Sequence, residues 1–88
     1  MAKQFLLVHY PQPDGRPKKV WPGIHQAILS GINVAVSVSG DEVRETNRRS
    51  KQVYKTAYEW GRRKGIPLLV CRKWAWFSKE RVVWIIPL

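Results

Sequence analysis

The run from Asp41 to Lys64 constrains the fold more than any other part of this chain, because it spells out both ends of one long helix. Ser39 followed three residues later by Glu42 matches a capping box, and Asp41, Glu42 and Glu45 sit where the positive end of the helix dipole would be. Arg62, Arg63 and Lys64 complement the negative end, and Gly65 and Pro67 stop the helix. One side carries Val43, Ser50, Val53, Tyr54, Ala57 and Gly61, with Trp60 on its flank. That side is narrow and built mainly of small residues, so it must lie closely on a sheet. In a chain of 88 residues, the other elements have to supply that sheet.

They do so in short runs. Phe5 to Tyr10 reads as a strand, followed by a Pro-rich loop through Pro11, Pro13, Asp14, Gly15 and Pro17. Pro22 to Ser30 reads as a short helix stopped by Gly31, with Ile24, Ala27 and Ile28 on its apolar side. Ile32, Val34, Val36 and Val38 alternate with Asn33, Ala35, Ser37 and Ser39, the period of a strand with one face in the core. Ile66 to Trp74 and Arg81 to Leu88 are rich in valine and isoleucine and read as an antiparallel hairpin. The expected fold is α+β: about four strands packed on one face by a single long amphipathic helix, with one short additional helix. Residues 1–88 form one small basic domain, and a parallel pairing across the long helix is a second possible topology.

Sixteen Lys and Arg against six Asp and Glu give a net charge of +10, the footprint of a nucleic-acid binder. The segment from Arg44 to Arg81 holds twelve of those sixteen cations, so a partner is expected on the C-terminal half. At about 100° per residue, Arg44, Arg48, Lys51, Lys55 and Arg62 fall within a band roughly 60° wide and about 27 Å long. Like charges at this spacing repel by a few tenths of a kcal/mol each, which an ordinary solvated face has no reason to accumulate. Asn47, Arg49 and Gln52 lie beside the band, where they are placed to address base edges. Glu45 with Arg49, and Lys55 with Glu59, are the candidate surface ion pairs.

A second cluster lies in the expected hairpin. Trp74, Trp76 and Phe77 are flanked by Arg72, Lys73, Lys79 and Arg81, the mixture of rings and cations that stacks bases while tracking a backbone. The competing expectation is that Trp74 and Trp76 close a small core against Trp84, since so short a chain needs large side chains inside. Arg72, Lys73, Trp76 and Lys79 join the candidate binding residues. Arg16, Lys18 and Lys19 form a basic loop of lesser weight.

Catalytic groupings are not apparent. His9 and His25 are the only histidines, and no Walker loop, nucleophile elbow or paired-histidine motif occurs. The expectation is a non-enzyme without cofactor or metal. The single cysteine, Cys71, excludes an internal disulfide and reads as a small buried hydrophobe. With no apolar run long enough for a membrane span or a signal core, the expected place is the cytoplasm, of a host cell if the chain is viral.

From Arg49 to Trp84 the pattern resembles small basic bacteriophage-encoded proteins, through Ala57, Arg62, Arg63 and Gly65 in the helix and Arg72 and Val83-Trp84 in the hairpin. That resemblance implies a viral accessory or regulatory protein. With the charge, the expectation is a nucleic-acid binder, DNA ahead of RNA, holding duplex DNA mainly through phosphates on the basic helix face. The alternative is an inhibitor or modulator that docks on an acidic surface of a host protein.

Overall fold

The computed structural model describes residues 5–10, 20–74 and 80–88. Six elements follow in chain order: β1 (Phe5–Tyr10), α1 (Val20–Leu29), β2 (Asn33–Val38), α2 (Val43–Lys64), β3 (Leu68–Trp74) and β4 (Arg81–Pro87). The strands form one sheet in the order β1-β2-β4-β3. β1 runs parallel to β2, while β4 pairs antiparallel with both β2 and β3. The parallel pair is thus made across α1, and the strand that joins β2 beyond α2 is β4 rather than β3.

Both helices cover the same face. Val34, Val36 and Val38 from β2 and Val83 and Ile85 from β4 are fully buried beneath them. From above come Val20, Ile24, Ala27 and Ile28 of α1 and Val53, Ala57 and Trp60 of α2. Small side chains let the helix backbone sit close. At Gly61 an added Cβ would lie 2.6 Å from Leu68 Cδ1 and 3.1 Å from the Ile66 carbonyl oxygen.

On the opposite face no described element covers the sheet. The register places Leu7, Ala35, Trp84 and Cys71 in one row across it, with Phe5, Ile86 and Leu69 on one side and His9, Ser37, Val82 and Lys73 on the other. Phe5, Leu7 and Leu69 are about half exposed, and Phe5 leans on Trp84 with ring centroids 5.5 Å apart. Cys71 is half-buried on this open side, so it is not the buried hydrophobe the strand pattern suggests.

Several local expectations change. α1 starts at Val20, two residues before Pro22, so the proline sits within the first turn, where its missing N–H costs nothing. The Ser39–Glu42 capping box does not form. Glu42 is the N-cap without a side-chain hydrogen bond, and Glu45 instead accepts the Asp41 N–H at 3.3 Å. Val43 is exposed and Tyr54 is on the boundary, whereas Thr46 and Trp60 join the buried side. At the other end Gly65 adopts φ 68°, and its N–H and that of Ile66 close on the Arg62 and Gly61 carbonyls at 3.2 and 2.9 Å.

Trp74 and Trp84 do not share a core. The register turns Trp74 to the helix side, where it is 44% exposed, and Trp84 to the open side.

Candidate functional site

The outward face of α2 is set by what its inward face buries. Thr46, Ser50, Val53, Ala57 and Trp60 fix the rotation of the helix on the sheet, which turns Arg44, Arg48, Lys51, Lys55 and Arg62 to solvent. All five are exposed, and among the described residues none of them meets a carboxylate. Of the two expected pairs on the helix, Glu45 with Arg49 forms, whereas Glu59, exposed between Lys55 and Arg62, makes no ion pair with Lys55.

Arg49, expected beside the row, is therefore not free to address a ligand. One guanidinium nitrogen meets Glu45 and another donates to the Ser39 carbonyl at 2.9 Å, tying the start of α2 to the end of β2. Asn47 is also occupied, because its side-chain oxygen accepts a hydrogen bond from Arg81. Its expected role in reading base edges does not fit that engagement. Gln52 stays exposed on the other flank.

Arg72 and Lys73, neighbours in sequence, point to opposite faces of β3. Arg72 turns toward α2, donating to the Ser50 hydroxyl at 3.3 Å and lying over the Tyr54 ring at 5.7 Å. Lys73 is exposed on the open sheet face, away from the row. Arg81 sits over the Trp74 ring at 4.6 Å. Burial, and then the nearby Arg72, lower the proton affinity of Arg81, but a guanidinium remains charged at any working pH. Trp76, Phe77 and Lys79, and the loop residues Arg16, Lys18 and Lys19, lie outside the described residues.

Between the row and the β3 edge runs a flank of rings not singled out by the sequence pattern. Tyr54 and Tyr58 lie one helical turn apart, both exposed, with rings nearly parallel at 7° and centroids 6.3 Å apart. At the C-terminal end of the row, Tyr58, Arg62, Ile66, Pro67, Leu68 and Leu88 line a cavity of about 190 Å³. The αL turn at Gly65 makes that hollow by reversing the chain, and the Leu88 N–H holds its far wall by donating to the Pro67 carbonyl at 3.1 Å. A usable signal in the sequence was the i,i+4 spacing of Tyr54 and Tyr58 next to Lys55 and Arg62.

His25 stacks on Trp60 at 4.2 Å, with its Nε2 buried and unpartnered among the described residues. Burial first, then Arg63 and Lys64, hold its pKa below the usual histidine value. This group supports α1 against α2 and is remote from the exposed row. No group of three or more potential metal ligands occurs among the described residues, and no described helix is long and apolar enough to cross a membrane. No family model, curated protein or solved structure matches this chain.

Proposed function

We propose that this protein binds nucleic acid, DNA ahead of RNA, by laying the exposed row of α2 along the phosphates of a duplex. The observation that carries the reading is a set of five exposed cations on one helix face, none of them closed into an ion pair among the described residues, with Glu59 the one acid beside them between Lys55 and Arg62. Their mutual repulsion is a standing cost of a few tenths of a kcal/mol per pair, offset when a polyanion replaces solvent counterions. Phosphate contacts fix register and affinity without reading sequence, and Asn47 is engaged by Arg81, so binding is expected to be nonspecific. A viral accessory or regulatory role, acting without catalysis in the cytoplasm of a host cell, belongs to the same proposal and rests on the resemblance of the helix and hairpin.

A salt-titrated binding assay on a plain duplex tests it. With all five cations on phosphates, log K should fall with log[salt] at a slope of about −4.5 on B-DNA. The Arg48→Glu, Lys51→Glu double variant should lower the slope to about −2.7 and lose measurable binding at moderate salt, with its melting curve intact. A parent that ignores duplex, or a variant that binds like the parent, refutes the reading.

The open sheet face favours a second reading, in which the chain docks on a host protein that has an acidic surface and modulates it. Phe5, Leu7 and Leu69 are half exposed there, and +10 would steer association. A single host protein captured after nuclease treatment supports it, and loss of all partners on nuclease treatment counts against it.

A further inference from the structure

We infer that the cavity at the C-terminal end of the row receives one unpaired nucleobase of the strand whose phosphates lie along α2, so that the preferred ligand is a duplex with a single-stranded extension. This rests on the nucleic-acid reading above and adds a place for a base to it. Three observations meet along the C-terminal half of α2.

The first is shape. A hollow of about 190 Å³ is below the roughly 300–1,000 Å³ of pockets that take drug-sized molecules, and it is scaled to a single ring system. Ile66, Pro67, Leu68 and Leu88 give it apolar walls, and the half-exposed Tyr58 ring stands at its side. The second is charge. Arg62 lines this cavity and is also the last cation of the row, so a strand whose backbone follows Arg48, Lys51 and Lys55 arrives at the hollow with a phosphate at its rim. The third is the ring pair. Tyr54 and Tyr58 lie nearly parallel and exposed beside Lys51 and Lys55, which extends the stacking surface back along the helix.

A base inside a duplex cannot use any of this, because its faces are covered by its neighbours in the stack, and a terminal pair cannot bury an edge that its partner already holds. An unpaired base can leave the stack, place one face on Tyr58 and bury its edge against the apolar wall. None of the buried, unpartnered side-chain polar atoms among the described residues belongs to the lining, so selection among the four bases should be weak. An aromatic side chain of a protein would fit the same hollow. The adjoining row of cations favours a ligand that repeats its negative charge at regular intervals.

The test compares a blunt duplex with the same duplex carrying a three-nucleotide extension of either polarity, with 2-aminopurine as the first unpaired base. The extended duplex should bind about five- to hundredfold more tightly than the blunt one for at least one polarity, the range that stacking one base on a ring supplies, with a change in 2-aminopurine emission on binding. Tyr58→Ala should erase that gain and leave blunt-duplex affinity unchanged, whereas Tyr58→Phe should keep it. Because Tyr58 is 49% exposed, both variants should fold, which their melting curves will verify. Equal affinity for blunt and extended duplex, or a full gain in Tyr58→Ala, overturns the base site while leaving phosphate binding by the row in place. Failure of the parent to bind either duplex overturns both.

Discussion

Replacing Gly61 by alanine sets two effects of similar size against each other, and the packing of α2 on β3 decides between them. Within a helix, alanine is favoured over glycine by about 1 kcal/mol, so on propensity alone the change should stabilise. At this position, however, the new Cβ would lie 2.6 Å from Leu68 Cδ1, 3.0 Å from Leu68 Cγ and 3.1 Å from the Ile66 carbonyl oxygen. Leu68 could rotate its far methyl away, but moving Cγ takes a change of χ1 in a packed side chain, and the backbone oxygen moves only if the turn after α2 moves. Overpacking of this kind costs about 1–3 kcal/mol. The expected net is a loss of about 1 kcal/mol, or a fall of about 4–8 °C in melting temperature for a domain of this size. The same substitution at Gly23, an exposed position in α1 where an added Cβ meets nothing within 4 Å, should instead raise stability by about 0.5–1 kcal/mol. Urea and thermal unfolding followed by tryptophan fluorescence read both variants, and Leu68→Ala in the Gly61→Ala background should show non-additivity of at least about 0.5 kcal/mol. A Gly61→Ala protein as stable as the Gly23→Ala protein would refute the close approach of helix and strand.

Thr46 is completely buried, and its hydroxyl has no hydrogen-bond partner among the described residues, so the near-isosteric Thr46→Val should raise stability by about 1 kcal/mol, read from the urea midpoint at unchanged slope. His25 is held below its ordinary value of 6.5, so the unfolded chain takes up a proton there before the native protein does. Stability should therefore be level above about pH 6.5 and decline as the pH falls below it, and His25→Phe should flatten that decline. A parent whose urea midpoint does not change between pH 7.5 and 5.5 would contradict the lowered proton affinity of His25.

Much of this arrangement was legible in the residues because local rules wrote it. The alternation through Val34, Val36 and Val38 marked a strand, the spacing of Arg44, Arg48, Lys51, Lys55 and Arg62 marked one helix face, and Gly65 with Pro67 marked its end. What could not be read depended on partners distant in sequence. Asn47 looked free until Arg81 came to it from β4, and Trp74 and Trp84 looked like one cluster until the register placed them on opposite faces. Tyr54 stands at the edge of the helix's buried sector, where periodicity alone cannot decide between core and surface. Its exposure follows from Arg72 rather than an apolar residue facing it across β3. The order of strands was not read, although β4 (RVVWIIP) carries four β-branched residues against one in β3 (LLVCRKW), a bias that suits a strand paired on both sides.

The placement of β4 between β2 and β3 bears on how the chain reaches this fold. Val34 pairs with Ile85 across the whole of α2 and β3, so the two innermost strands meet only after a long loop has closed. The α2 helix and the β3–β4 hairpin need only nearby residues and can form early, whereas the β2–β4 ladder must wait for loop closure. Folding should accordingly be slower than in a helical bundle of equal length. Until β4 docks, Val34, Val36 and Val38 present an apolar strand with an open edge, and that interval is when copies of this chain are most prone to pair with one another.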